Sequence, residues 1–274
     1  MIDFKALSKN IRRRNWKPFL LKIYRPIFRR KDHEGVDILE EEWDNLIILD
    51  ACRYDIFKEE NFLEGDLEKR VSKGSSSSEW LAENFPEDEY ENIVYVSANP
   101  HLCPFELDYI GDAMDSSKFH DFAPVYLEEP EEDIKSANYM SVHPGTVNEF
   151  AREFAEKYPL KKLIVHYMQP HIPYIGETKI RLDQEVENPF ELFQHPKCRE
   201  GYRDNLRLVL EHVRELIPHL SGQTVVSADH GELFDERGLY GHPTGIYFSD
   251  LVTVPWFEVD GNYLDNEETR GIDI

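Results

Sequence analysis

The sequence predicts an α/β fold, a three-layer αβα sandwich around a central, mainly parallel sheet, and three observations carry that prediction. Apolar runs at 45–49, 92–97, 161–167, 223–228 and 251–257 are mostly rich in Val, Ile or Tyr and bounded by Asp, Asn or Pro, which marks strands. Patterns of helical period lie between them, at about 79–85, 146–158 and 202–220. Strand and helix in alternation are what a parallel sheet covered on both faces requires. At 274 residues the chain can bury a sizeable core, and one large domain fits better than two small ones.

Taken in order, the first element is a basic segment at 1–32, set apart from the body at 33–274. It holds eleven Lys or Arg and two Asp, leaving 20 basic and 52 acidic residues of the chain's 31 and 54 for the remainder. Trp16, Phe19, Leu20, Ile23, Tyr24, Ile27 and Phe28 recur at three- and four-residue spacing, while Lys22, Arg25 and Arg29 fall on another face. This is an amphipathic helix with aromatic anchors, kinked or ended near Pro26. Two readings are open: a helix lying on an anionic membrane surface, or one packed on the chain's own acidic body. The acidic body repels nucleic acid, so a DNA- or RNA-binding role is excluded for it.

The first strand, Asn45–Leu49, is four apolar residues after Asn45 and delivers Asp50 to the sheet edge, followed by Arg53 and Asp55. The second, 92–97, leads to Asn99, which could face a cleft or simply cap a turn. The third ends in His166-Tyr167-Met168-Gln169-Pro170-His171-Ile172-Pro173. A neutral imidazole can act as acid, base or ligand with little tuning, so His166 and His171 are both candidates. Helix 202–220 is the clearest, with Leu206, Val209, Leu210, Val213, Leu216, Ile217 and Leu220 on one face. The fourth strand runs into Asp229-His230-Gly231-Glu232. Its adjacent carboxylate and imidazole would emerge where open α/β sheets bind ligands, and the pair suits Zn, Mn or a related divalent ion. Between the first two strands, Ser76 and Glu79 of Ser75-Ser76-Ser77-Ser78-Glu79-Trp80 make a capping box, with Ser76 at N-cap and Ser77 in the first turn. A hydroxyl there sits among free N–H groups that favour phosphate. The segments 99–145 and 174–200 read as loops over the sheet edge, long enough to be lids.

Asp50-x-x-Arg53-x-Asp55 followed by Asp229-His230-Gly231-Glu232 resembles the alkaline phosphatase superfamily, in particular its sulfatase-like and phosphoglycerol-transferase-like branch, over residues 43–258. The resemblance implies a metallohydrolase domain and a Ser nucleophile that also ligates metal. Ser77 matches it best, three residues before Trp80, with Ser78 and Ser76 behind it. His171-Ile172-Pro173 matches a His-x-Pro whose imidazole contacts substrate oxygens or protonates the leaving group. His242, in Gly241-His242-Pro243, matches a late histidine near the phosphate or a metal. The implied site is therefore catalytic Ser77, His171 and His242, with one divalent ion (Mn, Zn, Ca or Mg) on Asp50, Ser77, Asp229 and His230. His166, His171, His242 and Asn99 would meet substrate. Arg53 and Asp55 are expected to brace the loop by a mutual ion pair.

The expected activity is phosphate-ester hydrolysis or transfer, on membrane lipid or glycan phosphates if the N-terminal helix lies on a bilayer. A sulfatase is the first rival, but the Cys- or Ser-x-Pro-x-Arg pattern of formylglycine enzymes is missing. A non-catalytic anion- or partner-binding protein is the second. Three scattered cysteines and the lack of an apolar window of 18 residues lead to a cytoplasmic expectation, peripheral at the inner membrane face if the helix binds there.

Overall fold

The computed structural model describes residues 17–28, 34–104, 113–128, 141–180 and 192–261. In chain order the elements are α1 (Lys17–Ile27), β1 (Asn45–Leu49), α2 (Tyr54–Glu60), β2 (Gly65–Val71), α3 (Ser77–Asn84), β3 (Tyr90–Ser97), β4 (Leu102–Cys103), β5 (Met114–Asp115) and β6 (Phe119–Pro124). There follow α4 (Pro144–Lys157), β7 (Lys162–Tyr167), α5 (Cys198–Leu216), β8 (Thr224–Ser227), β9 (Leu233–Phe234), β10 (Tyr240–Gly241), α6 (Ser249–Val252) and β11 (Thr253–Val259).

Seven strands form one sheet in the order β2-β11-β8-β1-β7-β3-β6. The pairs β8–β1, β1–β7, β7–β3 and β3–β6 are parallel. β11 runs antiparallel to both β8 and β2. The fully buried run Leu46, Ile47, Ile48, Leu49 explains β1's place between β7 and β8, because a strand apolar on both faces must be covered on both. Ile47 and Leu49 enter one core with Val94, Val96, Leu163, Val165 and Val226, under Val147 and Phe154 of α4 and Val209 and Val213 of α5. Leu46 and Ile48 enter the other with Tyr95, Ile164 and Val225, under Trp80 and Leu81 of α3. Each such side chain taken from water contributes about 1.5–3 kcal/mol.

The apolar runs locate β1, β3, β7, β8 and β11 to within two residues at each end. Two sheet strands lie outside them. β2 is charged and largely exposed, an edge strand held by its pairing with β11. β6 falls inside the segment read as a loop at 99–145, and only Phe119 and Ala123 of it are buried. No helix among the described residues is long and apolar enough to cross a membrane.

Candidate active site

Four neighbouring strands, β8, β1, β7 and β3, bring chemistry to the same edge. Asp50 follows β1, and Asp229 and His230 follow β8. His166 sits one residue from the end of β7, in register with Ile48 of β1 and Ser97 of β3. Asn99 lies two residues past β3. Parallel pairing therefore converts separate sequence positions into one cluster at the carboxyl ends of the strands.

Asp50, Asp229, His166 and His230 are all buried, at 0–2 % exposure. Ser77 Oγ at the start of α3 accepts from Asn99 Nδ2 at 2.9 Å and lies 3.3 Å from His230 Nε2. Asn99 Nδ2 also donates to Asp50 Oδ2 at 2.7 Å, and its own Oδ1 accepts from His101 N, which fixes the amide's orientation. Asp229 Oδ1 accepts from the main-chain N–H of Ala51 at 3.0 Å and of His230 at 2.9 Å. Among the described residues its Oδ2 has no hydrogen-bond partner, and neither has His166 Nε2, 3.7 Å away. His230 Nε2 stands 3.3 Å from Asp229 Oδ2 and 3.7 Å from Asp50 Oδ1.

Burial pushes the Asp50 carboxyl well above its usual range, and the Asp229 charge pushes it further. Burial lowers His230 and His166 to about 4, so both imidazoles are neutral near pH 7. His230 Nδ1 pairs with the Gly231 carbonyl at 2.8 Å and must donate to it, which leaves the Nε2 lone pair directed at the acids. Among the described residues no Lys or Arg side chain pairs with either carboxylate. Two buried acids, an orphaned carboxylate oxygen and neutral imidazoles fit a divalent cation; Asp50, Asp229 and His166 offer atoms within 4.8 Å of one another.

A second group adjoins the first. Glu232, 1 % exposed, faces His242 Nδ1 at 3.3 Å and His171 Nε2 at 3.8 Å, and these three also have metal-compatible spacing. The His242 ring centroid is 4.5 Å from that of His230 and 5.0 Å from that of His171. Burial lowers His171 to about 4, and its Nδ1 pairs with the Ile172 carbonyl at 2.9 Å, which leaves Nε2 on the side of Glu232.

Helix α5 holds two of these loops from beneath. Tyr202 Oη donates to the Ala51 carbonyl at 2.6 Å and accepts from Arg53 N at 2.9 Å. This pins a turn in which Ala51 takes a left-handed φ of 58°. Asn205 donates to the carbonyls of Pro173 and His171 at 2.9 and 3.1 Å and accepts from Ile175 N and Gly176 N, tying down the segment that carries His171.

The structure thus gathers Ser77, Asp50, Asp229, His230 and Asn99 on one side, and His171 and His242 on the other. His166 lies beside the acids, where the sequence placed it with substrate. Of the four serines, Ser77 is the one that meets Asn99 and His230. Ser75 bonds Glu79 and Gly245, and Ser76 bonds Thr244 and lies 3.4 Å from Ser78. Ser76 is the N-cap as expected, but the capping box is not formed there: its hydroxyl pairs with Thr244, and Glu79 accepts from Ser75 N, not Ser76 N. Arg53 does pair with Asp55, and with Glu236 and Asp250 besides. Glu232, Tyr95, Tyr202 and Asn205 are additions. Glu232 stood in the Asp-His-Gly-Glu motif, whereas nothing local marks the other three.

No protein-family model matches the chain, and no curated protein does. Among solved structures it is similar to the soluble domain of lipooligosaccharide phosphoethanolamine transferase A from Neisseria meningitidis, at 13% identity and a TM-score of 0.52, covering 90% of this chain and 82% of that one. It is also similar to the C-terminal periplasmic domain of phosphoethanolamine transferase EptC from Campylobacter jejuni (14% identity, 81% and 80% covered, TM-score 0.49). A third is the lipoteichoic acid synthase LtaP from Listeria monocytogenes (12% identity, 88% and 71% covered, TM-score 0.43). At 13% identity the first comparison speaks for the fold alone, and that fold is the alkaline phosphatase-like α/β sandwich expected from the sequence.

Proposed function

We propose that this chain is a metal-dependent phosphate-ester hydrolase or transferase that uses Ser77 as its nucleophile. The observation that supports this most is a serine hydroxyl at a helix N-terminus, 3.3 Å from a neutral His230 and beside two buried carboxylates that no Lys or Arg among the described residues neutralises. Asp50, Asp229 and His230, with Ser77 Oγ, would hold one divalent ion, and His166 Nε2 is near enough to the acids to join them. A cation bound there would favour the ionised serine and offset charge on the phosphoryl oxygens.

The residues divide the remaining work. Asn99 donates to Ser77 Oγ and to Asp50, holding nucleophile and ligand at a fixed spacing. Attack of Oγ on phosphorus forms a phosphoseryl ester and expels an alkoxide. His242 would pass a proton drawn from solvent to that alkoxide, while the neutral His171 lines the site beside it, and water or an acceptor hydroxyl then takes the phosphoryl group from Ser77 as its own proton returns to solvent. Glu232 orients the His242 imidazole, and the Ile172 carbonyl that of His171. The Neisseria neighbour is named a lipooligosaccharide phosphoethanolamine transferase, which makes lipid- or glycan-linked phosphates the first class to try. A cytoplasmic protein, peripheral at the inner membrane face, remains our reading of location.

The test is turnover of an aryl phosphate monoester and a diester with Mn, Zn, Ca or Mg, in wild type, Ser77→Ala and Asp229→Ala. Metal-restored turnover lost by about 10³-fold or more in Ser77→Ala is expected. Equal rates in wild type and Ser77→Ala would reject the nucleophile. Preference for the paired aryl sulfate would favour the sulfatase reading, and metal binding without turnover of any ester would favour the anion-binding one.

A further inference from the structure

Helix α1 packs on the body through one face only. Leu20, Leu21, Tyr24 and Phe28 lie against Leu233, Leu239, Ile246, Phe248, Leu251 and Val252. Tyr24 and Phe28 both meet the Phe248 ring edge-on, at 5.3 and 4.8 Å between centroids. Tyr247 N donates to the Phe28 carbonyl at 2.8 Å, and Tyr24 Oη to the Arg237 carbonyl at 3.3 Å. The other face is solvent-exposed and mixed in chemistry. Ile23 and Ile27, one helical turn apart, are 41% and 65% exposed, with Lys22, Arg25 and Pro26 exposed around them.

The inward face therefore answers what anchors the helix, and leaves unexplained why two isoleucines stand in water among cations. Charge selects the occupant. Residues 1–32 hold eleven Lys or Arg against two Asp, while the rest of the chain holds 20 against 52. An anionic surface is repelled by the body and attracted by this segment alone. Exposed Ile on one side of a helix with cations on another, Lys22 next to Ile23 and Arg25 farther round, is the combination that enters a bilayer's interfacial zone with its charges left among the headgroups. The helix also touches the rim of the candidate site. Arg25 donates to the Thr244 carbonyl at 3.4 Å, two residues past His242, and Thr244 Oγ1 bonds Ser76, next to Ser77.

We infer that the outward face of α1, carried by Ile23, Ile27 and Lys22, docks the protein on an anionic lipid surface with the body still attached to the helix's inward face. Docking would bring the loop that carries His242 to the headgroup plane, so esters presented by the membrane would be favoured over the same group free in solution. The inference stands apart from the reaction assigned to the site.

The experiment is flotation of the full chain with phosphatidylcholine vesicles and with vesicles that also contain phosphatidylglycerol. It compares wild type, Ile23→Asp/Ile27→Asp and Lys22→Glu. Both variants change exposed positions, and an unaltered thermal midpoint with unaltered turnover of a soluble aryl phosphate would establish that fold and site are intact. Wild type should bind the phosphatidylglycerol vesicles, weakly at high salt, and the double variant should bind about tenfold or more weakly. Equal binding of wild type and double variant would overturn the inference, as would equal binding to both vesicle types. A concentration-dependent dimer abolished by the double variant, with no vesicle binding, would assign the face to a second copy and overturn it as well. If no aryl ester is turned over but vesicle binding follows the expected pattern, the surface stands and the reaction falls.

Discussion

Gly231 sits between His230 and Glu232 because no side chain fits there. A Cβ built on it would lie 2.2 Å from the main-chain oxygen of Asp250, and the Gly231 N–H donates to the Leu251 carbonyl at 2.7 Å. The Asp-His-Gly-Glu turn thus lies flush against α6, which aims His230 at Asp50 and Asp229 and Glu232 at His171 and His242. Gly231→Ala should destabilise the fold by about 1–3 kcal/mol, measured by urea unfolding, because backbone rather than a flexible side chain must move. Tyr95 acts at the same scale. Its hydroxyl meets His166 Nδ1 at 2.9 Å and so orients the ring whose Nε2 faces Asp229. Tyr95→Phe should weaken divalent-ion binding about tenfold by calorimetry, with the fold retained, since a supporting partner of a ring nitrogen is lost but packing is not. Undiminished affinity would leave His166 outside the metal site.

Among elements, the turn after β1, the strand β9 and helix α6 are joined by one guanidinium. Arg53 grips Asp55 through two bonds of 2.9 and 2.7 Å, Glu236 at 2.7 Å and Asp250 at 3.1 Å, and donates to the Glu232 carbonyl at 3.1 Å. Burial acts to raise the Asp55 and Glu236 carboxyls, but hydrogen bonds and charge from Arg53 outweigh it and hold both below the usual carboxylate range. A carboxyl lowered on folding adds stability at pH above its unfolded value, and that stability is lost as pH falls through the folded value. The thermal midpoint should therefore drop as pH is taken from about 5 to about 3, and the drop should be shallower in Glu236→Gln. An identical slope in the variant would remove Glu236 from the pH response. The elements missed by sequence periodicity share a cause with this cluster. β2 and β6 are edge strands held by neighbours, so their own residues carry little apolar signal. The basic face of α1 was legible, but its docking by Tyr24 and Phe28 onto Phe248 was not, since those positions are some 220 residues apart.

Over the whole molecule, charge and topology act separately. The formal net charge is −23, and beyond residue 32 the excess of acids is greater still. Such a surface repels itself within a Debye length, so salt raised from about 10 mM to about 0.5 M should increase the thermal midpoint. A midpoint that falls with salt would mean that ion pairs such as Arg203 with Glu59 and Glu60 outweigh the repulsion. Sequence by itself determined the fold class, the five strands with buried apolar runs and the two acidic strand ends, because burial on both faces and a carboxylate at a strand's end leave a local pattern. It also singled out Ser77, His171 and His242 as chemistry-bearing positions. Tertiary structure decided which of these share a site. Strand order puts β8, β1, β7 and β3 side by side, so Asp229, Asp50, His166 and Asn99 converge. The supports Tyr95, Tyr202 and Asn205 are read only there, because a buried polar group is defined by the partner that satisfies it, and these partners lie on other elements.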